Sequence, residues 1–136
     1  MQMHASGLLC SLLLALSQER FETGELKGFT KSPTEHIIER LSEHPTVRTI
    51  EGVVTTENSA EPLVGVLVEI RGPGDFGSLR RTLSDRSGRF KFKSVKDGDY
   101  TIKLTRDGFR SVVGEVSVRR SAKVAKPFRV QMLTGV

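Results

Sequence analysis

The grouping nearest to a reactive centre in this chain is His36-Ile37-Ile38-Glu39. A His-x-x-Glu spacing sets two metal ligands on one face of a helix, the usual start of a zinc site. A catalytic zinc also needs a third ligand and a general base. Beyond residue 4 the only other histidine is His44, about two turns farther along the same predicted helix and poorly placed to complete the set. His36 and Glu39 therefore read as a solvated helix face. Cys10 is the single cysteine, which excludes an intramolecular disulfide framework and, with three histidines in all, argues against structural zinc. No catalytic, cofactor-binding or metal-binding residue is assigned, and the chain reads as a non-enzyme.

The cations form a second group. Arg89, Lys91 and Lys93 alternate with Phe90 and Phe92, so a strand here carries rings on one face and charge on the other. Lys103 is expected on the outward face of the next strand, with Arg80, Arg81, Arg86, Arg119, Arg120 and Lys123 in nearby turns or strand ends. Such a stripe attracts anionic glycan or lipopolysaccharide phosphate. No aromatic interleaves with it on the outer face, so base stacking lacks support and nucleic acid is not expected as a partner. The competing reading is a solvated face that keeps edge strands from aggregating. For stacking on a neutral sugar, Trp is absent, the one tyrosine, Tyr100, alternates with core residues, and only Phe76 in the 72–78 loop is available.

The elements that position these residues are mostly strands. Between the turn signals Asp85-Arg86-Ser87-Gly88, Asp97-Gly98 and Asp107-Gly108 lie two runs with a period of two, Arg89 to Lys93 and Tyr100 to Thr105. Earlier runs alternate through Ile50, Gly52 and Val54 and through Val64, Val66, Val68 and Ile70, with a further strand near Leu79 to Leu83. Later ones alternate through Val112, Gly114, Val116 and Val118 and through Phe128, Val130 and Met132. Gly114 marks a bulge or a close backbone approach. Seven short strands in this space predict an all-β, Greek-key-like sandwich over residues 49–134. Ahead of it, Ser32-Pro33-Thr34-Glu35 has the form of a capping box, and Ile37, Ile38 and Leu41 come after it at helical spacing. This predicts a short helix over about 33–43, inside a linker spanning 18–48.

With 136 residues and a net charge of +5, there is room for one domain, and the positive excess falls entirely after residue 48. Residues 1–17 read as an export signal, with an apolar run from Leu8 to Leu16 and small residues at Ala15 and Ser17. No Lys or Arg precedes that run, and Leu9 before Cys10 departs from a lipoprotein signal. The run is shorter than a membrane-spanning helix. The expected destination is secretion or the periplasm, with no transmembrane span in the mature chain.

The order of motifs resembles the carboxypeptidase regulatory-like domain, a transthyretin-like sandwich. It is carried by Thr49 to Val54 with Gly52, Pro62 to Val66 with Gly65, Ser84-Asp85 with Gly88-Arg89-Phe90, Gly98 with Tyr100, and Gly108-Phe109. Lys96-Asp97 stands where the family often has proline, which touches turn stiffness only. The resemblance implies a non-catalytic accessory or interaction module of the bacterial envelope, with an envelope protein or an anionic glycan as partner. It implies that the glycines serve turns, bulges or close packing, while Phe90, Tyr100 and Phe109 fill the sandwich. Similar sandwich repeats of adhesins carry an intramolecular Lys–Asn isopeptide bond. Here the first strand has no lysine and the only asparagine is Asn58 in a turn, so that chemistry is rejected.

Overall fold

The computed structural model describes residues 26–35, 37–72, 79–123 and 127–135. Residues 1–17, expected to be an export signal, lie outside them, as do His36 and Phe76. Nine strands occur among the described residues: β1 (Glu39–Arg40), β2 (Thr46–Val47), β3 (Glu51–Thr56), β4 (Leu67–Arg71), β5 (Leu79–Leu83), β6 (Arg89–Lys91), β7 (Gly98–Thr105), β8 (Val112–Val118) and β9 (Phe128–Met132). The seven expected strands are β3 to β9. They form a two-sheet sandwich, one sheet ordered β1-β8-β7-β4-β5 with β2 also on β8, the other β6-β3-β9.

Alternation puts one face of each strand inside. Ile50, Val54, Phe90, Phe92 and Val130 on the smaller sheet meet Val68, Ile70, Ile102, Leu104 and Val116 on the larger. Gly52 stands opposite Phe90 across the β3–β6 pair, and a Cβ there would lie 2.6 Å from Phe90 Cζ. The missing side chain lets Phe90 lie over the strand and meet Phe128 edge-on at 5.8 Å. Val64, expected on the inner face of the second strand, is instead exposed in a turn before β4 begins. Between it and the strand, Gly65 and Val66 share one partner: Gly65 N–H donates to Ser84 O and Val66 N–H to Ser84 Oγ. That extra residue breaks the alternation that assigned Val64 inward.

The helix expected over 33–43 does not form. Half of its capping box does: Ser32 N–H donates to Glu35 Oε2 at 3.0 Å, while Glu35 N–H donates to the Ser32 carbonyl at 3.1 Å rather than to its hydroxyl. The result is a single turn. The backbone beyond it is taken by the edge of β8, with Glu39 N–H donating to Ser111 O and Leu41 N–H to Val113 O. β1 and β2 therefore run parallel to β8 as one interrupted edge strand, opposite Val112–Val113 and Ser117–Val118. Of the three apolar residues that suggested a helix, Leu41 packs on the core while Ile37 and Ile38 stay exposed. A period of three with one buried member does not hold a short helix together against a free sheet edge.

Residues 26–35 form a strap over the outer face of the larger sheet. It starts beside β5, where Gly28 faces Leu79, crosses β4 with Phe29 under the Arg71 guanidinium at 4.8 Å, and ends at Thr34 against Gly108 and Phe109.

Candidate functional site

The outer face of the smaller sheet carries the predicted cations. Arg89 and Lys91 on β6 are exposed, as is Lys93 just after it. Across the sheet, Arg89 stands opposite Val53, and Val53 opposite Arg129 on β9. Arg129, exposed and not singled out by the sequence, extends the face. Its membership depends on the parallel register of β9 on β3, which no local pattern reveals. Glu51, opposite Lys91, is the one acid in these rows.

Lys103 does not belong to this face. It is outward on β7, as alternation requires, yet only 1% of its side chain is exposed because the strap covers it. Its Nζ lies 2.6 Å from Glu35 Oε1, a close ionic contact, and donates to Thr30 O at 2.7 Å. On the neighbouring strand Glu69, opposite Lys103 and fully buried, accepts from Thr30 N–H, Thr30 Oγ1 and Arg81 Nε. Thr30 thus serves both charges, with its carbonyl toward the cation and its donors toward the anion. Every strong charge in the strip has an opposite charge or a hydrogen bond, as burial demands. The arrangement fastens the strap and has no open coordination or reactive atom.

A second polar chain closes the opposite end of β8. His44 Nε2 lies 2.8 Å from Ser117 Oγ, His44 Nδ1 lies 3.5 Å from Glu115 Oε2, and Ser117 Oγ donates to Asp99 Oδ1 at 2.7 Å. The order Glu115–His44–Ser117 is that of a hydrolytic triad, but the chemistry fails on two counts. Ser117 gives its proton to Asp99, whose carboxyl is held below its usual value first by that hydroxyl and then by Arg119. The Ser117 N–H donates to Pro45 O at 3.0 Å and so is not available to an oxyanion. The chain of contacts ties the loop before β2 to β7 and β8.

The remaining motif residues are structural. Asp85 Oδ1 accepts from Ser87 N–H and Arg89 N–H, both at 2.9 Å, closing the turn into β6. Gly88 comes next with φ +74°, and a Cβ there would sit 2.4 Å from Val54 O. Gly98 begins β7, while Gly65 and Gly108 lie in turns. Phe90 and Tyr100 are buried, Phe109 packs at the rim, and burial raises the pKa of the Tyr100 phenol, whose hydroxyl donates to Lys96 O. Among the described residues no group of His, Cys, Asp and Glu could hold a metal ion, and no helix is long and apolar enough to cross a membrane.

Among solved structures, the chain is similar to the major pilin subunit BcpA of Bacillus cereus, with TM-score 0.48 and 15% identity over 65% of this chain and 30% of the pilin. It is similar to the pilus adhesin RrgA of Streptococcus pneumoniae, with TM-score 0.44 and 15% identity over 65% of this chain and 15% of the adhesin. It also resembles 5-hydroxyisourate hydrolase of Klebsiella pneumoniae, with TM-score 0.44 and 15% identity over 62% of this chain and 87% of that one. The chain thus spans less than a third of the pilin's length. No curated protein matches it. The carboxypeptidase regulatory-like domain matches residues 49–131, the stretch from the start of β3 into β9. That match covers more than half of the chain, and the chain belongs to the carboxypeptidase regulatory-like domain family.

Proposed function

We propose that the chain is a non-catalytic accessory module that engages another protein of the bacterial envelope after export. The observation that carries this reading is the family match, because it covers the sandwich itself and brings no reactive constellation with it. The Lys103–Glu35, Glu69–Arg81 and His44–Ser117–Asp99 groups hold strands and strap. The test is a pull-down from envelope extract with the purified chain as bait, washed at low and then high salt. A protein partner that survives high salt supports a packed interface. A bait that captures no protein at either salt overturns the reading.

A second reading, binding of anionic glycan, rests on one observation: Arg89 and Arg129 flank Val53 in one row, with Lys91 beside Glu51 and Lys93 at the strand end. Sequence-independent attraction to a polyanion through such a face is strongly salt-dependent. Charge reversal at Arg89, Lys91 and Lys93 should abolish retention on a heparin column. Unchanged retention removes this face from consideration.

A further inference from the structure

The larger sheet treats its two edges differently. At β8 the chain adds its own β1 and β2 and closes the ladder. At the other edge β5 pairs with β4 alone among the described residues. Ser84 N–H donates to Val66 O at 2.9 Å, which sets the phase of that antiparallel ladder. Counting back by twos, Thr82 and Arg80 turn their N–H and C=O groups toward β4, while Leu83 and Arg81 turn theirs away. None of the described residues bonds to those outward groups.

An open edge is a template for another extended segment, and the side chains select which one. Leu83 is 61% exposed. Arg81 gives Nε to Glu69 and keeps its other guanidinium nitrogens free of any partner among the described residues. Arg80 is exposed on the opposite face of the strand, and its Nη2 donates to Lys93 O at 2.7 Å, which draws Lys93 to the same edge. A second copy of this chain added antiparallel about Arg81 would set Arg81 against Arg81, and like charges directly opposite are unfavourable. An acidic strand meets the reverse situation.

The geometry points to β5 as a docking edge for an extended acidic segment of a partner protein, which joins the larger sheet as a further strand bonded to Arg81 and Leu83, its carboxylates meeting Arg81 on one face of the sheet or Arg80 and Lys93 on the other. This rests on the interaction-module reading and names the chemistry of the partner.

The probe is a fluorescein-labelled peptide of about ten alternating Glu and Val residues, long enough to cover one strand, titrated into the full chain by anisotropy. A second peptide carries N-methyl groups on alternate amides, keeping the charge and removing the donors along one side. In the protein, Leu83→Pro deletes one outward donor and spares the bonds to β4, with Leu83→Thr as control. The parent peptide should bind wild type and L83T alike, whereas N-methylation and L83P should each weaken binding by about tenfold, the loss of about one to two ladder bonds. Equal binding of methylated and parent peptides, or no binding of the parent, overturns the proposal. So does a dimer of the chain that L83P dissolves, since the occupant is then a second copy. If L83P does not fold, the two peptides on wild type decide alone. A partner captured from envelope extract while the peptide stays unbound overturns the edge and leaves the module reading standing. An empty bait with the peptide bound overturns the module reading instead.

Discussion

Leu41 occupies the space that a side chain on Gly114 would fill: a Cβ built there lies 2.4 Å from Leu41 Cδ1 and 2.8 Å from its Cγ. One glycine in β8 thereby lets β1 pair with the sheet and drop a leucine into the core. Gly114→Ala forces Leu41 aside and should cost about 1–3 kcal/mol in urea unfolding. Adding Leu41→Ala should cost less in that background than in wild type. Additive costs would show that the two residues do not compete for one space.

Lys103 and Glu35 are buried together, so each is destabilising without the other. Lys103→Met leaves a buried carboxylate and should cost about 3 kcal/mol. Lys103→Met with Glu35→Gln should recover most of that, because the amide oxygen still accepts from Ser32 N–H. Failure of the double variant to recover would place the stabilisation in the lysine stem rather than in the pair.

Thr105 Oγ1 is buried without a hydrogen-bond partner among the described residues. Thr105→Val removes the unpaired hydroxyl at nearly constant shape and should raise stability by about 1 kcal/mol. A measured loss would mean that the hydroxyl is bonded.

The Asp99 carboxyl is held below its ordinary 3.8 by the Ser117 hydroxyl and, after it, the Arg119 guanidinium. A depressed folded-state value stabilises the fold above the unfolded pKa, and the stabilisation disappears as pH falls from about 3.8 through the folded value. The stability difference between wild type and Asp99→Asn should therefore shrink across that acid window. In Ser117→Ala the Asp99 carboxyl, followed by NMR, should titrate higher. An unmoved titration would assign the shift to Arg119 alone.

Seven strands are legible in the sequence because a period of two survives in any half-buried sheet, and Asp85, Gly88 and Phe90 take the places their turn and core chemistry require. The helix is not, because in Ser32-Pro33-Thr34-Glu35 the glutamate can reach back to the Ser32 N–H as well in an isolated turn as at the head of a helix. The open edge of β8 decides between the two by capturing the backbone from Glu39 to Leu41. Lys103 is legible as to its face and not its environment. Alternation says that a side chain points away from the core, not that water is found there, and the strap that covers it lies more than sixty residues earlier in sequence. Arg129 escapes a sequence reading for the same reason, since parallel register between β3 and β9 joins distant segments.

The strap and the β1–β2 edge also set the order in which the molecule can be assembled. Residues 26–47 are synthesised before every strand they lie on, and their partner β8 emerges roughly seventy residues later. The first part of the described chain to be made thus waits until β8 is out, with only β9 still to come. Until then Glu69 and Lys103 remain hydrated and the β8 edge stays open. Docking of this leading segment, rather than collapse of the two sheets, is the step at which a chaperone or a neighbouring chain could still take its place.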